Sequence, residues 1–283
     1  MIDDLIYDVG MNNGDDTAYY LARGQRVIAI EANPILAKLG AERFSAEVAS
    51  GRLKILNIGV SDREGEFPFW ICETLSEWSS FNRDIASRDG QPHHELMIPC
   101  QRFSSIVADH GVPFYLKVDI EGNDMLCLLD LKGPDLPKYV SLEAAVPDPI
   151  DHLVSLGYNA FQCMSQENFL PVEMPPSTAQ MRFEETMARL YSQNIFMRVT
   201  RALGAKQRWR RRLDEPRMRG EWKFPFGSSG PFGEDLPGRW QTADEMRGTY
   251  RLFRERIAAR ESSIFWNEKE YSFWADLHAR RDD

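Results

Sequence analysis

Acidic side chains close several apolar runs in this 283-residue chain, and their placement is the first chemistry it offers. Asp8 ends the run in YDVGMNNGDDT, Glu31 ends VIAIE, and Asp119 and Glu121 follow the run in LKVDIEGND. Glu143 follows a further run, YVSLE. After Asp8 comes a turn from Gly10 to Gly14, with a helix expected to begin at about Asp15. Glycine has no Cβ and tolerates positive φ, so the polar part of a ligand can approach such a backbone closely. A dinucleotide-binding turn would carry a middle glycine to admit a pyrophosphate. Here Met11, Asn12 and Asn13 separate the two glycines, and Asp8, Asp15 and Asp16 surround them. Carboxylates repel pyrophosphate but suit the ammonium and sulfonium charges of S-adenosylmethionine.

Glu31 lies about twenty residues beyond the glycine turn, where an acid accepts both ribose hydroxyls in nucleoside-binding α/β folds. Its alternative is a plain cap of the following helix. The turn NIGVSD, with Gly59 and Val60, is small enough to lie flat against an adenine. Asp119 and Glu121 sit at the carboxyl edge of the expected sheet, where ligands bind in open α/β folds. There they would position a methyl donor or act as general base toward an acceptor hydroxyl. Otherwise Asp119 would cap the next helix and Glu121 would be exposed. With Glu143, three carboxylates at one rim would suit a divalent metal. No histidine stands at ligand spacing, so a metal is not favoured and no metal ligand is assigned. The candidate cofactor contacts are Asp8, Gly10, Asn12, Gly14, Asp15, Thr17, Glu31, Ala32, Asn33, Gly59, Val60, Ser80 and Asp119. The candidate catalytic residues are Asp119, Glu121 and Glu143.

These residues must be held by alternating strands and helices, which the first half supplies as short apolar runs between helical patterns. Strands are expected at Leu5 to Val9, Val27 to Ile30, Leu53 to Ile58, Phe114 to Val118, Tyr139 to Leu142 and Ala160 to Met164. A helix from Asp15 to Ala22 should end at Gly24. Asn33 should cap a second, with Pro34 at its first position, burying Ile35, Leu36, Leu39 and Phe44. Between Glu66 and Cys100, FPFWICE offers an extra strand and SRDGQPHHE reads as a loop. Gly157 should close a helix starting near Pro149.

The pattern changes near Pro175 and Pro176, which divides the chain into residues 1–175 and a helical, aromatic-rich extension over 176–283. Helix starts are expected at Ser177 with Gln180, Thr242 with Glu245, and Asn267 with Glu270. The first of these helices aligns Phe183, Met187, Leu190 and Tyr191 on one face. Arg208 to Arg219 is the densest run of one charge, read as a solvated face ahead of an anion-holding patch. Trp222, Phe224, Phe226, Phe232 and Trp240, among flexible glycines, suit either a substrate lid or plain packing of the extension. His278 reads as structural unless the tail folds over the cleft.

A formal charge of −9 argues against nucleic acid or an anionic membrane as partner. Cys72, Cys100, Cys127 and Cys163 form no CxxC pair, which fits reduced thiols. The opening MIDDLIYDVG has acids where a signal peptide needs bases, and no long apolar run occurs, so no membrane span and a cytoplasmic location are expected.

Taken in order, YDVGMNNGDD, VIAIEANP, NIGVSDREGEF, SEWSSF and LKVDIEGND followed by SLEA resemble the FkbM family of methyltransferases over about residues 4 to 145. The resemblance implies a class I, Rossmann-like α/β fold with a doubly wound, mostly parallel sheet. It also implies methyl transfer from S-adenosylmethionine to oxygen, often on a sugar or secondary metabolite. By it, Asp8, Gly10, Gly14 and Glu31 would contact the cofactor, and Asp119 and Glu121 would occupy the DxEG position of the active site. Ser79 and Ser80 match a recurring serine pair that would reach adenine or substrate, or form an ordinary turn. Asn13, Asp15 and Asp16 depart from the family pattern and would alter the grip on the methionine moiety. The competing readings are a carboxyl methyltransferase and a non-catalytic nucleoside-binding or interaction module. Oligomeric state is left open.

Overall fold

The computed structural model describes residues 1–144, 149–166, 169–172, 179, 182, 218–225, 227–259 and 275–282. These form two compact units, Met1–Leu142 with Asp151–Tyr158 and Arg280–Asp283, and Glu143–Ile150 with Asn159–Ala279.

In the first unit, apolar runs become buried strands and the patterned segments between them become helices. The order is β1 (Ile2–Val9), α1 (Asp15–Ala22), β2 (Arg26–Ile30), α2 (Pro34–Arg43), α3 (Ser45–Ala49) and β3 (Leu53–Leu56). After a side excursion come α5 (Phe103–His110), β7 (Pro113–Val118), α6 (Asp124–Asp130) and β8 (Tyr139–Glu143), followed along the chain by α7 (Ile150–Ser155). The strands lie in the order β3-β2-β1-β7-β8, and each neighbouring pair is parallel. Leu5 to Val9 are all buried, as a strand covered on both faces requires. The chain moves outward from β1 to β3, then returns to the other side of β1 with β7. This creates a topological switch point between the carboxyl ends of β1 and β7, where open α/β sheets bind ligands. The fold is a Rossmann-like α/β arrangement with a mostly parallel sheet.

The excursion is a small sheet of β4 (Gly59–Val60), β5 (Gly65–Cys72) and β6 (His93–Gln101), with β5 and β6 antiparallel. The helix α4 (Arg83–Ala86) lies in the β5–β6 connection, flanked by single 3-10 turns at Ser76–Trp78 and Arg88–Gly90. FPFWICE does form a strand, but the end of SRDGQPHHE corrects the loop reading: His93, His94 and Glu95 begin β6. Leu96, Ile98 and Cys100 turn inward while Glu95, Met97 and Pro99 are exposed, a period of two that the polar start conceals.

Helix α1 has the expected bounds, and Gly24 beyond its end has φ 84°. Asn33 caps α2 by accepting from the Ile35 amide, with Pro34 at the first position. The buried face of α2 needs correction: Ile35 and Leu39 are 60% and 53% exposed, and Leu36 is half-buried, while Ala37, Gly40 and Phe44 are buried. Small residues face inward because a Cβ at Gly40 would press on Met11 and Ile55.

In the second unit, β9 (Ala160–Ser165) and β12 (Ala275–Arg280) are buried strands, and the helix Ala243–Ala259, here α8, opens with a reciprocal capping box. Thr242 N donates to Glu245 Oε2 at 2.9 Å, and Glu245 N donates to Thr242 Oγ1 at 3.3 Å. The segment around Trp222 holds the short antiparallel pair β10 (Met218–Arg219) and β11 (Trp222–Lys223). Phe224 and Phe232 are buried within this unit, and the Phe224 ring packs edge-on against Phe169 at 5.2 Å. His278 is buried in β12, where burial pulls its pKa down to about 3, so it is a neutral core residue. The boundary at Pro175 and Pro176, the starts at Ser177 and Asn267, the face from Phe183 to Tyr191, Arg208 to Arg217 and Phe226 lie outside the described residues. Among the described residues, no helix is long and apolar enough to cross a membrane.

Candidate active site

The ends of β1 and β7 are joined by backbone. Asp119 N donates to Val9 O at 2.9 Å, while Gly10 N and Met11 N both donate to Ile30 O at the end of β2. Gly10 has φ 85°, and a Cβ there would collide with the Asp119 carbonyl oxygen. The close approach that demands this glycine is therefore between two strand ends of the protein itself. Gly14, at φ 81°, begins α1, and a Cβ there would stand 2.7 Å from the Phe44 ring.

Beneath the turn lies a residue that sequence reasoning missed. Lys117, in β7, is buried and donates from Nζ to Gly10 O at 2.9 Å. The same ammonium lies 3.2 Å from Asp8, 3.8 Å from Asp16 and 3.8 Å from Asp119. Burial pulls its pKa down, but Asp8, Asp119 and Asp16 outweigh this and hold it above the ordinary lysine value. The available signal was a lysine within the otherwise apolar strand YLKV. Asp8 has no exposed surface, and its second oxygen accepts from Thr17 Oγ1 at 2.6 Å. Asp8, fixed by Thr17, thus stands behind the turn and holds Lys117, which holds the turn.

Glu31 stands at the carboxyl end of β2. Its Oε2 accepts from Asn12 N at 2.7 Å and its Oε1 from Asn33 N at 2.8 Å. Burial raises its pKa to about 7, against the pull of those two amides and Lys117. Each oxygen retains a lone pair for a further donor. Ala32 is half-buried, and its carbonyl, like that of Glu31, accepts from Asn57 Nδ2. Asp15 lies at the rim, paired with Arg43 at 2.9 Å. Gly59 and Val60 are buried in β4, where a Cβ at Gly59 would press on Phe81 and Cys100.

Asp119, just beyond β7 at the switch point, keeps 29% of its side chain exposed. It does not cap α6: Asn123 holds that position, and the buried Asp124 accepts from Ile120 N at 3.1 Å. Glu121 has φ 39°, unusual for a residue with a Cβ, and its side chain is 21% exposed. Its carboxylate meets Arg88 at 3.2 Å, and its backbone oxygen accepts from Ser80 Oγ at 2.9 Å. Burial and Asp119 raise the Glu121 pKa to about 7 against the opposing pull of Arg88. Ser80 is buried, and Ser79 Oγ accepts from Cys72 N, so both hydroxyls serve the protein's own backbone. Glu143, the last residue of β8, is half-buried and falls in the second unit. Among the described residues, no group of three or more His, Cys, Asp or Glu side chains is arranged to hold a metal ion. Within the Asp8, Asp16 and Asp119 cluster, the Lys117 ammonium is the cation.

The switch point thus presents an enclosed acid fixed by two backbone amides, an accessible aspartate and a glutamate that titrates near neutrality. No curated protein matches the chain at a significant level. A family model described as the methyltransferase FkbM domain matches residues 8–153, from the acid under the first turn to the helix after β8 and across more than half of the chain. The chain therefore belongs to the FkbM family of methyltransferases.

Proposed function

We propose that the switch point binds S-adenosylmethionine and that the enzyme methylates oxygen, on a hydroxyl of a sugar or secondary metabolite, with Glu121 as base. The observation that carries this reading is the Glu31 carboxylate, fixed by Asn12 and Asn33 at the end of β2. That is the place and chemistry for accepting two ribose hydroxyls. The charge balance also fits a cationic ligand. Asp8, Asp15, Asp16, Glu31, Asp119, Glu121 and Asp124 outnumber Lys117, Arg43 and Arg88 around the turn and the end of β7.

When bound, S-adenosylmethionine supplies an electrophilic methyl group, so the protein's work is positioning, water exclusion and proton removal. The partly exposed Asp119 carboxylate would complement the positive charge of the donor. Glu121 takes the acceptor proton at its carboxylate, and a pKa of about 7 leaves enough ionised form for that at neutral pH. A carboxylate acceptor would need no such base.

Calorimetric titration with S-adenosylhomocysteine tests the cofactor site. Binding is expected for the unmodified protein and should be lost in Glu31→Ala, with circular dichroism confirming that the variant is folded. Absence of binding to the unmodified protein would overturn the proposal and favour a non-catalytic module. Glu121→Gln tests the acceptor: it should abolish transfer to hydroxyls, whereas unchanged transfer would remove Glu121 as base and favour a carboxylate acceptor.

A further inference from the structure

The β5–β6 connection reaches both unusual backbone positions of the site. Asn12 and Glu121 are non-glycine residues at φ 49° and 39°, one in the first turn and one after β7. Ser76 Oγ donates to Asn12 Oδ1 at 3.0 Å, and Ser80 Oγ donates to Glu121 O at 2.9 Å. Ser80 is itself fixed: its backbone exchanges two hydrogen bonds with Trp70 in β5, and its hydroxyl accepts from Asn82 N. Arg88, from the turn before β6, reaches the Glu121 carboxylate at 3.2 Å, and its guanidinium lies 5.5 Å from the centre of the Trp78 ring. Residues with a Cβ persist at positive φ where their surroundings over-determine them.

We infer that this connection is a strap that sets the base, with Arg88 as a positioning residue that holds the Glu121 carboxylate in place. The inference rests on reading Glu121 as the base. Stacking on Trp78 restrains the long arginine side chain, so less freedom is lost when it meets the carboxylate. The charged groups acting on Glu121 are Asp119 at the end of β7, Asp124 at the start of α6 and Arg88 from the strap. Two of these are acids that favour the neutral carboxyl group. Arg88 opposes them and keeps part of the population ionised, while its 44% exposure limits the effect through solvent screening.

The test needs neither cofactor nor acceptor. The full chain, labelled with carbon-13 at glutamate carboxyls, is titrated by nuclear magnetic resonance, with the Glu121 signal assigned by its loss in Glu121→Gln. Arg88→Ala is expected to raise the Glu121 titration midpoint by about half a pH unit, the size suited to a partly exposed pair. Arg88→Lys should recover most of the shift, because a cation is restored. An unchanged midpoint in Arg88→Ala, or an equal rise in Arg88→Lys, would overturn the inference. Because Arg88 is exposed, its replacement should leave the fold intact. Failure of the base assignment would show instead in Glu121→Gln that still methylates hydroxyls, so the two failures are distinguishable.

Discussion

Lys117 and Asp8 form an ion pair of 3.2 Å in which neither side chain has more than 4% of its surface exposed. The lysine also donates to the Gly10 carbonyl, so one ammonium ties the turn of β1 to strand β7. Removing one member of a buried pair leaves its partner charged and unsolvated, which costs about 3–5 kcal/mol. Lys117→Met should therefore lower the denaturant midpoint sharply and weaken cofactor binding in whatever fraction remains folded. An unchanged midpoint in a urea titration would show that the pair contributes nothing to the fold.

Gly10 and Gly24 share a positive φ, 85° and 84°, but not their surroundings. A Cβ at Gly24 meets nothing within 4 Å, whereas one at Gly10 collides with the Asp119 carbonyl oxygen. Gly24→Ala should cost the left-handed conformational penalty alone, about 1–2 kcal/mol. Gly10→Ala adds a separation of β1 from β7 and should cost clearly more, with loss of S-adenosylhomocysteine binding. Parallel denaturation of the two variants separates the terms, and equal losses would refute the close-approach account.

The acids at strand ends were legible because a charge after an apolar run marks the carboxyl edge of a parallel sheet. Glu31, Asp119 and Glu121 lie just beyond β2 and β7, where that rule puts them, whereas Asp8 is the last residue but one of β1. Their division of labour was not legible. Asp8 and Asp119 read alike in sequence, yet one is sealed behind the turn and the other is partly exposed, because strand pairing and the course of β7 decide it. Lys117 escaped notice because its meaning depends on three carboxylates from separate parts of the chain. The β6 strand was hidden by its polar start, and the buried face of α2 by the assumption that large apolar residues turn inward. In a tightly packed layer Ala37 and Gly40 fit where Ile35 and Leu39 do not.

Cofactor affinity should depend on pH through Glu31. Its pKa is raised from the ordinary carboxyl value to about 7, and on the proposed reading ribose hydroxyls would donate to the ionised form. Affinity should then rise as pH increases through that value, by up to about tenfold between about pH 6 and about pH 8. Calorimetric titration with S-adenosylhomocysteine at both values measures the change. In Glu31→Gln, which cannot ionise, the two affinities should agree to the extent that the ligand's own ionisation allows. A full pH dependence surviving in that variant would place the titrating group elsewhere.

Asp124 gives the clearest test on stability. It is fully buried, its Oδ1 accepts from Ile120 N, and its Oδ2 has no hydrogen-bond partner among the described residues. Burial and the neighbouring Asp119 raise its pKa from 3.8 to about 6. The native state therefore binds this proton more tightly than the unfolded chain does. The resulting stabilisation is fully present below the unfolded value and is lost as pH rises through about 6. A shift of this size corresponds to about 3 kcal/mol at most. Asp124→Asn keeps an acceptor for Ile120 N and removes the ionisation, at the cost of an amide in place of Oδ2. Its stability relative to the unmodified protein should accordingly improve between about pH 4 and about pH 7.5, read as the difference in urea midpoints. If that difference is the same at both values, Asp124 titrates normally and its burial carries no penalty.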